Sequence, residues 1–534
     1  MSSPAPDAAT PHEVDEDAPG PPISVPDSGE GEGGKLKMIV QLVKKSLGVK
    51  DIAAMRLSLP ASLLEPVPNL EYWHYLDRPD MFVAVNDSDD PFERILAILR
   101  FTFTKDLKFV HGKVCKPYNS VLGEHFRAHW DVIPAKSPLE GSATPSPTLL
   151  ADTASVKSAR SSRSGISAFS KTGKSPSTAA TSLDVPNAEI SQLNLAPSQD
   201  TVRVIYITEQ VSHHPPVSAY YASCPDRFVE LYGIDQISAR VSGTTLRVSP
   251  GHYNKGLHIN ITGGPGAGEQ YNINHPIASV NGLLRGSFYV TVADSTIISC
   301  VGGNQRFRAI IEYKEESWLG RAHFLLEGVI HTVVEGDTQH NEWTKVKHVP
   351  LPRVVAVFDG SWRGRIRWRR VGVGSYPDTT PSSYSSPSPS HVSLAVPVIP
   401  SAASSRMDVS AAKEEEWAEL IDLSQVHVIP KTVRPLEKQL PHESRKLWES
   451  VTSRLLKKEF SDATKEKVAI EQKQRDEAAE RKRKGQSFIP RYFDPDMDKG
   501  YSTLTDAGRL AVEEEINEPT HYHDNLEDAV KDTP

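Results

Sequence analysis

The sequence predicts a mainly β fold, a large antiparallel sheet or barrel with flanking helices. Between about residues 201 and 370, short β-type runs alternate with turn residues, as in TVRVIYITEQV, GLHINIT and RFRAIIEY. Many short strands in close succession are typical of a large antiparallel sheet or a barrel. Helical patterns stand before and after this region, so we expect helices at both ends of the β region.

Three segments have apolar spacing typical of helices. KLKMIVQLVKKSLG has an apolar face opposite several lysines, which predicts a short amphipathic helix. In DSDDPFERILAILRFTFTK, acidic residues and Pro91 precede apolar residues at helical spacing, as expected for a packed helix. Near the end, PHESRKLWESVTSRLLKKEF predicts a helix, and SDATKEKVAIEQKQRDEAAERKRK predicts one that is polar almost all round.

The predicted domain is interrupted by segments rich in Ser, Pro, Thr and Ala. Residues 1–34, 137–200 and 375–412 lack sustained periodicity and are predicted to be disordered. We therefore expect one domain over 35–500, with the two internal segments inserted in surface loops, and a polar C-terminal tail over 501–534. Such insertions are tolerable because the entropy of loop closure grows slowly with loop length.

Composition excludes several classes of protein. Cys115, Cys224 and Cys300 are few, odd in number and far apart, which argues against a disulfide framework or a cysteine zinc site and favours a reducing cytosol. No apolar run approaches the roughly 20 residues of a membrane span, so membrane contact should be peripheral. The net charge of -8 gives no support for nucleic-acid binding. Basic clusters near 363–370 and 481–484 are local exceptions, either solvated surface or small sites.

The run EQVSHHPPVSAYY places two histidines directly before two prolines. Because proline cannot donate to a sheet ladder, strand pairing should stop there and leave His213 and His214 at a strand end or rim. An alternative is that one imidazole is a hydrogen-bonded core residue. A metal site is less favoured, since no nearby Cys, Asp or third His has ligand spacing.

Two further segments carry polar residues in patterns that allow two interpretations. Lys116 and Asn119 lie in KPYNSVLGEHF, which is either a polar site or an ordinary turn. Lys467, Glu471 and Arg475 are spaced i, i+4, i+8 and therefore share one helix face. Such rows of charge are most often solvated helix faces.

Taken together, these segments resemble the oxysterol-binding-protein family of lipid-transfer proteins. The family's hallmark EQVSHHPP stands here at residues 209–216 without a mismatch. KPYNSVLGE resembles its KP-x-N-x-x-LGE element, PLEKQLPHESRKLW resembles its segment before the last helices, and KEKVAIEQKQR is similar to its charged helix. FIPRYF resembles its closing W-x-x-RYF element, with Phe488 in place of the usual Trp.

The resemblance implies a near-complete antiparallel β-barrel around an apolar tunnel, with an N-terminal helical lid and C-terminal helices. Family members hold the acyl chains of phosphatidylinositol 4-phosphate in the tunnel and its headgroup at the mouth. Carried over by motif, the headgroup residues are Lys116, Asn119, His213, His214, Lys467, Glu471 and Arg475. The imidazoles would hold the 4-phosphate, the other cations and the amide would bind further oxygens, and the glutamate would orient the cations or accept an inositol hydroxyl. The residues expected in the lid and tunnel are Leu36, Val40, Val43, Leu47 and Leu59.

The second lipid is expected to be phosphatidylserine or a sterol. LPASLLEP resembles the LPTFILEP of phosphatidylserine-carrying branches, with Ala61 and Ser62 as departures. We accordingly expect a monomeric, cytoplasmic lipid carrier without a cofactor or metal, peripheral at membranes and at contact sites of the endoplasmic reticulum with the plasma membrane or Golgi.

Two other functions compete with lipid transfer. A lipid hydrolase using Ser212 or Ser361 is disfavoured because neither serine stands in a Gly-x-Ser-x-Gly elbow. A lipid sensor or scaffold would need the same pocket as a carrier, so the sequence does not separate these two.

Overall fold

The computed structural model of the protein describes eleven stretches of the chain. These are residues 23–24, 32–46, 49–52, 57–58, 61–111, 115–136, 200–242, 245–282, 289–316, 322–371 and 417–519. All of them except Asp200 belong to one compact unit formed by residues 1–136 and 201–534. The insertion expected at 375–412, and all of that at 137–200 except its last residue, lie outside the described residues.

Antiparallel strands make up most of the described structure. The strands are β1 (Ile23–Ser24), β2 (Leu57–Ser58), β3 (His125–Val132), β4 (Val202–His213), β5 (Pro216–Cys224), β6 (Val229–Asp235), β7 (Ile237–Ser242), β8 (Thr245–Pro250), β9 (Leu257–Ile261), β10 (Gln270–Ile273), β11 (Ile277–Asn281), β12 (Tyr289–Ala293), β13 (Ser295–Val301), β14 (Arg306–Tyr313), β15 (Leu325–Val333), β16 (Val354–Ser361), β17 (Arg365–Arg370) and β18 (Ala418–Asp422).

The strands form one large sheet and two small ones. The large sheet has twelve strands in the order β18-β17-β16-β15-β14-β13-β10-β9-β6-β5-β4-β3. A second sheet has the order β12-β11-β8-β7, and β1 pairs with β2 in parallel. The large sheet does not close on itself, but isolated bridges from His125 to Glu443 and from His129 to Thr432 continue pairing beyond its β3 edge. The prediction of a mainly β, near-complete antiparallel fold is confirmed.

Helices precede and follow the strands of the large sheet along the chain. They are α1 (Glu32–Ser46), α2 (Asn69–Tyr72), α3 (Pro79–Val83), α4 (Pro91–Thr104), α5 (Lys108–His111), α6 (Ser444–Leu447), α7 (Glu449–Leu456), α8 (Phe460–Lys484) and α9 (Asp506–Ile516). The predicted helix after Pro91 is confirmed as α4. Its first turn is capped by Asp90, whose carboxylate accepts a hydrogen bond from the Phe92 amide at 2.8 Å.

The core has an inner and an outer part, separated by the sheet. On the inner face, α4 packs with side chains such as Val204 and Tyr206 of β4 in one large apolar cluster. On the outer face, Ile207 and Val211 of the same strand pack against residues near the C-terminus, including Phe493. Because both faces are covered, β4 is buried at nearly every position, which explains why its sequence does not alternate strictly between apolar and polar residues.

The polar tail expected over 501–534 contains a packed helix, so this expectation was wrong for its first part. Helix α9 lies against β3 and β4, and its Glu515 is fully buried. The Glu515 carboxylate accepts hydrogen bonds from His129 Nδ1 at 2.7 Å and from Arg434 at 2.6 Å. Buried charge pairs therefore add to the apolar contacts of Ala511 and Val512 in docking this helix, and apolar periodicity gave no signal of it. The α9 network comprises Arg127, His129, Arg434, Glu443, Glu514, Glu515 and Glu518.

Candidate functional site

The two histidines lie at the turn between β4 and β5. Strand β4 ends at His213 and β5 begins at Pro216, as the prolines predicted. The two imidazole rings contact each other, with centroids 4.4 Å apart. Within the described structure, His213 Nδ1 is buried without a hydrogen-bond partner. The ring also has a hydrogen bond with the Ser120 backbone, which raises the pKa of His213 against the larger effect of burial. A buried polar atom without a partner is unfavourable, so Nδ1 would gain from a hydrogen bond supplied by a ligand.

His213 is held in its neutral form. Burial lowers its pKa to about 3, and the neighbouring His214 and the charge of Arg475 act in the same direction. At neutral pH this side chain therefore serves as a hydrogen-bonding group and not as a fixed cation. The effect of Arg475 also shows that the β4–β5 turn faces helix α8.

Lys116 lies in a short loop that is anchored by packing. Its Nζ donates hydrogen bonds to Asn119 Oδ1 at 2.7 Å and to the Pro117 carbonyl at 3.0 Å. Between these residues, Tyr118 is buried against Trp448, with ring centroids 5.0 Å apart. The loop is therefore fixed on the C-terminal helices and is not a free surface turn.

Burial and the nearby positive charge of Lys467 lower the pKa of Lys116 to about 8. A like charge close by in a partly desolvated place disfavours the charged state of Lys116. A lysine whose charge is disfavoured in the ligand-free protein gains more from an arriving anion than an exposed lysine would. The pair therefore favours an anionic ligand.

The charge row on α8 is only partly a solvated face. Lys467 is 5% exposed at its side chain, whereas Arg475 is 52% exposed. Glu471 lies between them and pairs with Lys467 at 2.6 Å and with Arg475 at 3.6 Å. The carboxylate holds both cations in position, and the buried lysine faces the loop that carries Lys116.

Three distant segments thus meet in one place. The basic cluster is formed by Lys116, Asn119, His213, His214, Lys467, Glu471 and Arg475. It combines two cations next to the neutral imidazole of His213, the ring of His214, an amide and a third cation at the solvent edge, with a single carboxylate among them. Such a set of convergent donors suits an anionic group with several oxygens. Within the described part of the chain, no cluster of His, Cys, Asp and Glu has the arrangement of a metal site.

Two glutamates inside the quoted motifs support the cluster, a role that the sequence reasoning missed. Glu209 accepts hydrogen bonds from the Arg491 and Tyr492 amides, both at 2.7 Å, and so fixes β4 to the C-terminal segment. Glu124 accepts hydrogen bonds from Ser444 Oγ at 2.7 Å and Trp448 Nε1 at 3.0 Å. Burial raises the pKa of each carboxyl to about 7, against the opposing effect of these donors.

The helix expected to form a lid is present as α1. Its Met38 is fully buried and packs with Leu42, Leu63 and Leu64, and the turn at 61–63 lies against α8. Of the five residues expected in the lid and tunnel, Val40 is half-buried. The side chains of Leu36 and Val43, and the residues Leu47 and Leu59, lie outside the described residues. The observed packing of α1 therefore centres on Met38 and Leu42, which the periodicity had not singled out.

Comparison with known proteins agrees with this architecture. The sequence model described as Oxysterol-binding protein matches residues 38–347. "Oxysterol-binding protein-like protein 1" of Schizosaccharomyces pombe is 36% identical over 92% of this chain and 94% of its own length. The chain belongs to the oxysterol-binding protein family. A more distant relative in that family is "Oxysterol-binding protein-like protein OBPa" of Candida albicans, 23% identical over 83% of this chain and 73% of its own length.

A solved structure shares the fold of this family member. The Osh1 ORD domain in complex with ergosterol has a TM-score of 0.52, at 16% identity, covering 89% of this chain and 88% of that one. At this identity the likeness concerns the fold alone. In the stretches that the structure describes, every helix is too short or too polar to cross a membrane.

Proposed function

We propose that the protein binds phosphatidylinositol 4-phosphate and exchanges it for a second lipid, phosphatidylserine or a sterol, between membranes. The observation that carries this proposal is the meeting of Lys116, His213 and Lys467, which come from three distant parts of the chain. In this proposal the basic cluster holds the headgroup and the inner, apolar side of the sheet holds the acyl chains.

The chemistry of the headgroup matches the cluster. A phosphomonoester carries nearly two negative charges and several strong acceptor oxygens, so one donor does not satisfy it. His213 and His214 supply N–H donors for the 4-phosphate, and Lys116 and Lys467 supply charge. Glu471 orients the cations of α8 or accepts a hydroxyl of the inositol ring.

Enclosure of the acyl chains follows from the energetics of transfer. Moving a chain from a bilayer into water costs about 0.8 kcal/mol per CH₂ group, so a carrier must cover the whole lipid. In this proposal the inner apolar cluster and helix α1, whose Met38 packs on the turn that lies against α8, supply the cover. In this role α1 is the lid, and its exposed Lys37, Lys44 and Lys45 face solvent.

The second lipid stays open between two candidates. The solved Osh1 domains hold cholesterol and ergosterol, whereas the run at 59–66 resembles that of phosphatidylserine carriers. The proposal further includes action as a monomer without catalysis, in the cytoplasm and peripheral to membranes at contact sites. Mass spectrometry of lipids that copurify with the protein would identify the cargo directly.

The test of this proposal is a double substitution, His213→Ala with His214→Ala. It should abolish extraction of phosphatidylinositol 4-phosphate from vesicles, because the phosphate loses its N–H donors. The unfolding transition should stay close to that of the unmodified protein, since residues at a turn contribute little to the core. Unchanged extraction by the variant would exclude the headgroup assignment.

A sensor or scaffold needs the same cluster, so vesicle-to-vesicle transfer separates the two functions. A carrier accelerates movement of lipid from donor to acceptor vesicles, whereas a sensor binds the phosphoinositide in stoichiometric amount without accelerating transfer. We expect acceleration by the unmodified protein.

A further inference from the structure

The C-terminal end of α8 carries a basic surface that the basic cluster does not use. Its last turn contains Arg481, Lys482, Arg483 and Lys484, with Glu480 just before them. The side chains of Arg483 and Lys484 are 74% and 55% exposed, even though both pair with Glu480. This turn therefore concentrates four cations, and its two most C-terminal ones stay largely exposed although they share Glu480.

Cations at a helix C-terminus also have a local role, because they interact favourably with the helix dipole. That role does not explain the path of the chain after the helix. Gly485 has a φ of +62° and ends α8, and the Gln486 amide donates to the Arg481 carbonyl at 2.9 Å. The chain thereby turns back beside the last turn and presents Ile489 with 79% of its surface exposed.

The exposed position of Ile489 is fixed by the residues on both sides. The Phe488 ring lies under the Arg481 guanidinium, 5.7 Å away, and against Gly123, where an added Cβ would meet the ring at 3.2 Å. On the other side, Pro490 is buried and the next two amides are bound by the carboxylate of Glu209. A single exposed apolar residue is common on protein surfaces. Here it is held firmly beside four cations.

This surface is also continuous with the basic cluster. Gly123, which touches Phe488, donates its amide to the Gln210 carbonyl at 2.9 Å. These two residues belong to the segments that carry Lys116 and the histidines. The end of α8 is therefore connected, through Phe488 and Gly123, to the two segments that carry the basic cluster.

We propose that residues 481–484 together with Ile489, the α8-end patch, dock the protein on a membrane surface that contains anionic lipids. Charge complementarity favours the anionic lipids, because each basic residue near such a surface contributes to attraction. The rigid aliphatic side chain enters the interface between headgroups and acyl chains, as apolar residues of peripheral proteins do. This inference deepens the proposed function as a lipid carrier, on which it rests.

The test measures binding to phosphatidylcholine vesicles with and without phosphatidylserine, and without phosphoinositide. The unmodified protein should bind the anionic vesicles, and added salt should weaken binding. The double variant Arg483→Gln with Lys484→Gln should lower the partition coefficient about tenfold or more. Ile489→Ser should lower it about fivefold.

Matched control variants change the same chemistry elsewhere. Lys345→Gln with Lys347→Gln removes two exposed charges, and Leu510→Ser removes a side chain that is 56% exposed on α9. Both should bind anionic vesicles as the unmodified protein does. Three results would each overturn the proposal that the α8-end patch docks on membranes. They are an equal loss of binding in the control and patch variants, full binding by the patch variants, and no preference of the unmodified protein for anionic vesicles. The last outcome would favour an acidic protein as partner.

Extraction of phosphatidylinositol 4-phosphate is measured in parallel and separates this inference from the proposed function. If the unmodified protein fails to extract the phosphoinositide but docks through the patch, the proposed function fails and the docking surface stands. If it extracts the lipid and the patch variants dock normally, the reverse conclusion holds.

Discussion

The α9 network and the basic cluster are both built from partly or wholly buried charged groups, but their charges are arranged in opposite ways. In the α9 network every cation meets a carboxylate, as in the pairs of Arg127 with Glu443 and Arg434 with Glu515, both at 2.6 Å. In the basic cluster the charge of Lys467 acts against that of Lys116, and Glu471 interacts with both lysines. In the first arrangement the charges are paired within the protein. In the second, like charges lie close together, an arrangement that an anionic ligand would stabilise.

The largest effect is expected from breaking the α9 network at Glu515. Glu515→Ala removes the buried carboxylate that pairs with His129 and is the nearest one to Arg434, which should cost about 3–5 kcal/mol of the free energy of unfolding. Chemical denaturation measures the loss. Glu514→Gln is the control, because Glu514 is 48% exposed and the loss there should be far smaller. Equal losses in the two variants would show that burial of Glu515 does not stabilise the docked helix.

The same network predicts sensitivity to acid. Burial raises the pKa of Glu515, but the hydrogen bond from His129 and the charge of Arg434 outweigh burial and lower it overall. The contribution of Glu515 to stability is therefore present above the ordinary pKa of a glutamate and is lost as pH falls through the lowered value.

In the basic cluster, a substitution should weaken ligand binding without lowering the stability of the protein. Lys116→Met removes a cation whose charge is disfavoured in the free protein, so the thermal unfolding temperature should stay constant or rise. Binding of phosphatidylinositol 4-phosphate should weaken about tenfold to 100-fold, because a charge-assisted hydrogen bond is lost. Vesicle extraction and thermal unfolding measure the two effects. A loss of stability without a loss of binding would make this lysine a structural residue.

The pH dependence of binding sharpens the same contrast. Lys116 has a pKa of about 8 in the free protein against an ordinary 10.5, and a bound phosphate should raise it. Above pH 8 binding then requires uptake of a proton, so the affinity should fall by up to about tenfold per pH unit. Over the same window the stability of the free protein should rise, because the unfolded chain binds more protons than the folded one. Binding isotherms and denaturation curves at several pH values measure both trends.

Lys116→Arg is the control for this pH dependence, because a guanidinium stays charged over the whole window. The variant should bind with a nearly constant affinity across it. A slope that persists in the variant would assign the titration to another group.

The smallest effect is expected from removing the insertion at 137–200. Val132 of β3 pairs directly with Val202 of β4, so a short turn can join the two strands. The described residues of both charged regions lie outside this segment. The shortened protein should keep its thermal unfolding temperature and its phosphoinositide binding. A large fall in the unfolding temperature would show that the segment stabilises the domain.

The β4–β5 turn and helix α4 were predictable because their signals are local. The two adjacent prolines mark the turn between β4 and β5, and Asp90 with Pro91 forms a helix start from adjacent residues. The burial of Lys467 was not predictable from its own helix, since the pattern of α8 is polar all round and the partner loop lies far away in sequence. Helix α9 was missed for a related reason. Its docking depends on Glu515 meeting His129, a contact between residues 386 positions apart.

The hydrogen bonds of Glu209 to the amides of Arg491 and Tyr492 connect positions 282 and 283 residues apart. During synthesis on the ribosome, the histidine turn therefore stays without this support until residues 491 and 492 have emerged. Lys467 likewise emerges more than 250 residues after His213. A nascent chain that carries the histidine turn accordingly lacks an assembled basic cluster until these later segments have folded onto it.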